Sequence, residues 1–118
     1  MFSIMRGSSR IAISLRDIYV LKIPNFSSYS QFLHGLLANL QEKTFSTAKW
    51  KELCPVTLAG NSGLWLVMPY ARPLTDDEWE NFDYTAFVEQ EHYIVPAEKK
   101  RDSFRIFYGR VVAVDYGS

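Results

Sequence analysis

The 118-residue sequence predicts an α+β fold built on antiparallel β hairpins, with one long helix in its N-terminal half. Three observations predict it. Apolar, β-branched runs come in pairs separated by short turn-forming stretches, which is hairpin spacing. Segment 28–43 carries leucines at helical rather than alternating intervals. The order of elements is two strands, a helix, a short helix, two strands, a helix and two strands, which lacks the strand–helix alternation of a parallel sheet. A chain of this length suits a single domain, 1–118, around one core.

Each element has its own warrant. IAISL at 11–15 sets Ile11, Ile13 and Leu15 against Ala12 and Ser14, a half-buried strand. Arg16-Asp17 is a tight turn. IYVLKI at 18–23 is apolar almost throughout, so it reads as a strand covered on both faces, ended by Pro24. From Ser28 to Lys43, Phe32, Leu33, Leu36, Leu37 and Leu40 fall along one side of a helix, in which Gly35 costs about 1 kcal/mol relative to alanine. Ser46 is placed to cap a short helix through Leu53. PVTLA at 55–59 and LWLVMP at 64–69 are strands joined by the turn Gly60-Asn61-Ser62-Gly63, and residues 71–74 are a connector. Thr75-Asp76-Asp77-Glu78 is a capping box whose helix passes Trp79 and Phe82 and resumes to Glu91. After Pro96, SFRIFY at 103–108 and RVVAVDY at 110–116 form a last hairpin around Gly109.

Composition narrows the function classes. Lysine plus arginine equals aspartate plus glutamate, 13 each, so no broad field draws the chain to nucleic acid or to an anionic membrane. Cys54 is the only cysteine, which rules out an intrachain disulfide and a zinc-ligand set and suits a reducing compartment. The start, MFSIMRGSSR, lacks the apolar core of a signal peptide. No apolar run nears the ~20 residues that span a bilayer. A cytoplasmic location is therefore expected. His34 and His92 stand in different segments, and there is no H-x-x-x-H, G-x-S-x-G or P-loop.

Four polar placements invite chemistry. Lys22 shares a strand face with Ile18 and Val20, so its ammonium needs an anion or a cleft, unless it reaches water from the strand end. Glu42 lies off the leucine stripe, as a solvated helix glutamate would. Asp115 ends an apolar strand, either holding a cation over a cleft or bonding local amides. Glu98, Lys100 and Ser103 belong to the polar loop EKKRDS, which also reads as a solvated charge run.

Taken in order, these pieces resemble a shrunken protein-kinase-like fold of the kind found in small phage and microbial proteins. GSSRIAISLRDIYVLKIP resembles the opening hairpin, with GSSR where a glycine-rich loop would stand. Lys22 in VLKIP matches the strand-three lysine, and Glu42 its helix partner. LCPVTLAGNSGLWLVMPYARPL resembles the two strands and hinge, with Met68, Pro69, Tyr70 and Ala71 as the hinge. DSFRIFYGRVVAVDYG resembles the segment from catalytic loop to D-F-G, here Asp115-Tyr116-Gly117. The resemblance implies a minimised N-lobe, a hinge and a catalytic-loop hairpin without most of the C-lobe. It also implies that Lys22, Glu42, Met68 and Tyr70 contact a nucleotide, that Asp115 and Ser103 hold Mg²⁺, and that Glu98 is the base. The departures are a serine where asparagine belongs, a glutamate where aspartate belongs, and no H-R-D. The first function implied is a non-catalytic protein-interaction module, an accessory protein needing no cofactor, whose partner is another protein or a second copy. The apolar surface left by the absent lobe would bind it, with Trp50, Trp65, Trp79 and Tyr70 as anchors. The alternative is a miniature Mg-ATP-dependent phosphotransferase. An unrelated α+β fold is the third reading.

Overall fold

The computed structural model describes residues 2–6 and 9–116, and its architecture is α+β with two antiparallel sheets. Strands β1 (Phe2–Arg6), β2 (Arg10–Leu15) and β3 (Tyr19–Pro24) form a meander. The β2–β3 turn has Arg16 at φ 55° and Asp17 at φ 53°, the left-handed pair that a mirror-image hairpin turn needs. Strand β1 was not predicted, because its alternation, Phe2-Ser3-Ile4, is too short to stand out. On β2 the better-covered side is not the isoleucine side: Ser14 is buried, while Ile11, Ile13 and Leu15 are half-buried.

Helix α1 (Tyr29–Ser46) starts where predicted, capped by Ser28 Oγ, which accepts from the Gln31 amide at 3.1 Å. It runs three residues further than the leucine pattern indicates. The short helix expected from Ser46 does not form. Lys49 enters the left-handed region at φ 56° and turns the chain, and Ser46 Oγ instead accepts from the Val56 amide at 2.9 Å.

The face that α1 buries corrects the sequence reading. Gly35, Ala38, Asn39 and Glu42 are buried, whereas Leu33 and Leu37 keep 43% and 51% of their surface. The reason is closeness. A Cβ on Gly35 would stand 2.3 Å from the Ser9 carbonyl oxygen and 2.7 Å from Pro24 Cα, so only small side chains fit between α1 and the β2–β3 hairpin. Helix propensity alone makes Gly35→Ala stabilising by about 1 kcal/mol. The clash is with backbone, so the substitution is expected instead to cost about 1–3 kcal/mol. Urea unfolding checks the sign, and a gain in stability would refute the packing argument.

Strands β4 (Leu58–Ala59) and β5 (Leu66–Pro69) are shorter than predicted, although the Thr57 amide still donates to Val67 O at 2.7 Å. Their turn has Gly63 at φ 80°. Strand β5 pairs with β3, giving the sheet order β1-β2-β3-β5-β4. The expected connector at 71–74 supplies strand β6 (Arg72–Pro73), which joins β7 (Phe104–Phe107) and β8 (Arg110–Ala113) in a second sheet, ordered β6-β7-β8. Between β6 and β7, helix α2 (Asp76–Glu80) carries both bonds of the predicted capping box. Helix α3 (Tyr84–Val88) restarts on Asp83, whose carboxylate accepts from the Ala86 amide at 3.0 Å, and it stops short of Glu91.

One hydrophobic cluster spans both sheets, from Leu66 and Met68 on β5 to Phe104, Val112 and Ala113 on β7 and β8. Trp50 stacks on Tyr93 at 4.0 Å between ring centroids, and Trp79 packs on Phe82 and Phe104. Both are half-buried in this packing, and Trp65 is 39% exposed. No helix among the described residues is long and apolar enough to cross a membrane.

Candidate functional site

Strand β8 was predicted to reach residue 116 but leaves its ladder after Ala113. Val114, Asp115 and Tyr116 instead bond to residues of β3, β2 and α1. Strand β3 places Lys22 with its ammonium on the Glu42 carboxylate, Nζ to Oε1 at 2.9 Å, and the same ammonium donates to the Val114 carbonyl. Glu42 has no exposed surface, which overturns its reading as a solvated helix residue. The Tyr116 amide donates to Glu42 Oε2 at 3.1 Å, and the Tyr116 hydroxyl donates to the Cys54 carbonyl at 2.8 Å. The end of the hairpin is thus pinned to α1 and to the loop before β4.

The sequence reading missed the fourth member of this cluster. Arg10, at the start of β2, forks onto Glu42 with Nη1–Oε1 and Nη2–Oε2 both at 2.7 Å, and Nη2 also reaches Asp115 Oδ1 at 2.7 Å. Lys22, Glu42 and Asp115 therefore meet, joined by a guanidinium. Asn39, also missed, orients it. Its Oδ1 accepts from Arg10 Nη1 at 3.2 Å, while its amide donates to Gly63 O at 2.9 Å and Lys22 O at 3.3 Å. The available signal was Arg10 in line with Ala12 and Ser14, a polar and small-residue face on an otherwise apolar strand.

Burial and neighbouring charge act on these groups in opposite directions. Burial opposes ionisation of Glu42, but Lys22 and Arg10 outweigh it and hold the carboxyl below its usual range. Burial lowers the Lys22 ammonium, against the pull of Glu42. Burial works against the Arg10 guanidinium as well, yet Glu42 and Asp115 raise it. Two cations and two carboxylates make a neutral quartet. Among the described residues, no buried side-chain nitrogen or oxygen lacks a partner.

The quartet borders a cavity of about 580 Å³ between the sheets. Arg10, Lys22 and Asp115 line one end, and the predicted hinge residues Met68 and Tyr70 line it too, Met68 buried and Tyr70 half-buried. Glu98 is also on the wall, but exposed and paired with Lys100 at 3.3 Å. Ser103 is buried behind the wall, where its backbone carbonyl accepts from the Val114 amide at 2.8 Å. Gly7 and Ser8 of the GSSR stretch, and Gly117 of the D-F-G-like motif, lie outside the described residues. Cys54 is buried and its thiol is pushed up to about 12, so it is inert as a nucleophile.

No protein-family model matches the chain, and a search of the curated proteins finds no match.

The implied Mg²⁺ does not fit this donor set. Of the two residues expected to hold it, Asp115 is engaged by Arg10 and Ser103 is not on the cavity wall. No three His, Cys, Asp or Glu among the described residues are grouped to hold a metal ion.

Proposed function

We propose that this chain is a non-catalytic protein-interaction module on a degenerate kinase-like scaffold. The observation that carries the reading is a split within the site. The ion-pair half is assembled: a third-strand lysine and a carboxylate on the following helix stand 2.9 Å apart, beside a strand-end aspartate and above a hinge-lined cavity. The half that would conduct the reaction is dispersed, with Glu98 in an exposed ion pair and Ser103 behind the wall. In a kinase the lysine–glutamate pair and the metal-bound aspartate must both be in place. Here the pair persists as a structural brace.

The surface supports a partner of apolar character. Tyr29, Leu33 and Leu37, spaced by four, form an exposed stripe on α1, and Phe26 is exposed just before the helix. Exposed apolar patches of this kind mark interaction sites. Such a stripe fits the groove of a partner protein or a second copy. Sedimentation and affinity capture test the reading. Association is expected in the native chain, and it should be lost in the Leu33→Asp/Leu37→Asp double variant, with the unfolding midpoint retained. A monomer that captures nothing would end this reading.

The second reading, a Mg-ATP-dependent phosphotransferase, is favoured by the cavity size, which is in the range of small-molecule sites. It is separated by thermal unfolding with millimolar Mg-ATP. A ligand at 100 times its dissociation constant adds about 2.7 kcal/mol, and no shift is expected.

A further inference from the structure

We infer that Arg10 is a resident cation that fills, with a tethered guanidinium, the place a divalent metal ion would take between Glu42 and Asp115. The inference rests on the geometry of the quartet and goes beyond the kinase-like reading, so it stands or falls separately.

A single nitrogen, Nη2, lies 2.7 Å from Glu42 Oε2 and 2.7 Å from Asp115 Oδ1. Hard divalent ions sit roughly 2.0–2.6 Å from carboxylate oxygens, so this nitrogen stands close to where such an ion would bridge the same two groups. A guanidinium keeps its charge at any ordinary pH, and its planar fork matches the Glu42 carboxylate through two parallel bonds. Asn39 fixes the fork from behind.

Charge makes occupation exclusive. The intact quartet sums to zero, so a divalent ion entering it would face Arg10 and Lys22 with no spare carboxylate. Without Arg10, two carboxylates would face one ammonium, 2.9 Å from Glu42 Oε1 on its other side. That leaves one uncompensated negative charge, shared between buried Glu42 and the half-exposed Asp115, which a metal ion reached from the cavity relieves. The native chain is therefore expected to be indifferent to metals, and Arg10 variants are expected to acquire a metal dependence that it lacks.

Thermal unfolding of the native chain, Arg10→Ala and Arg10→Gln in EDTA, in millimolar MgCl₂ and in millimolar MnCl₂ tests this, with Mn²⁺ binding read directly by electron paramagnetic resonance. The native midpoint should not move between EDTA and metal. Both variants should gain about 5 °C or more in Mn²⁺, or fold only when it is added, and one Mn²⁺ should bind per chain. Adding Asp115→Asn to either variant should abolish the gain. The inference is overturned if the native chain binds Mn²⁺ with a rise in midpoint that Asp115→Asn removes. It is equally overturned if the Arg10 variants gain nothing, including variants that stay unfolded at saturating Mn²⁺.

Discussion

Glu42→Ala is expected to cost about 3–5 kcal/mol of folding stability, much of what a domain of this size possesses. The substitution removes the acceptor for Arg10, Lys22 and the Tyr116 amide together. Lys22 is left buried with the Val114 carbonyl as its hydrogen-bond partner among the described residues, and Arg10 keeps Asp115 and Asn39. Most of the loss is the penalty of uncompensated buried charge rather than the worth of one ion pair. Changing both partners, Lys22→Met with Glu42→Met, should therefore recover part of it, since Arg10 still has Asp115. Acid adds a second signature. The Glu42 carboxyl is held below its ordinary value of 4.5 in the fold. Its contribution is thus fully present above that value and is lost as pH falls through the lower, folded one. Glu42→Gln should flatten the acid limb of the stability curve. A Glu42→Ala loss below about 1 kcal/mol by urea unfolding would mean that the quartet does not brace the fold.

Phe104→Ala is expected to lose a comparable amount, about 3–5 kcal/mol, by a different mechanism. The ring is buried at the start of β7 and lies 4.8 Å from Phe82, 5.4 Å from Phe87, 5.9 Å from Tyr84 and 6.3 Å from Trp79, centroid to centroid. Truncation opens a cavity that these rings fill only in part, and it loosens α2 and α3 from the second sheet. Phe104→Leu should recover part of the loss by filling some of that volume. Unlike the Glu42 effect, this one should not change between pH 7 and the acid limb. Urea unfolding at two pH values, with near-ultraviolet circular dichroism reporting on Trp79, distinguishes the mechanisms.

Local chemistry was legible in the sequence where one residue type decides it. The Thr75–Glu78 capping box and the turn around Gly109 stand where their residues indicate. Lys22 was legible only as a choice between an anionic partner and an escape to water; the structure shows the partner, Glu42. What was hidden was set by close approach between elements. Leu33 and Leu37 of the α1 stripe stay exposed and Phe32, Leu36 and Leu40 are only half-buried, because the distance from helix to hairpin leaves room for Gly35, Ala38 and Asn39, with Glu42 beyond them. Arg10 was invisible because a strand-end arginine normally reaches water; only the tertiary fold brings Asp115 to it. Strand β6 has two residues and takes its identity from pairing with β7.

The bond from Arg10 to Asp115 joins positions 105 residues apart. No local segment can form it, so the entropy of closing nearly the whole chain must be met before this contact contributes anything. Contacts such as those of α1 with β3 close much shorter loops. Refolding of the native chain and of Asp115→Asn should therefore show whether this closure precedes the rate-limiting step: a slower variant means that it does, and an equal rate means that the contact forms afterwards.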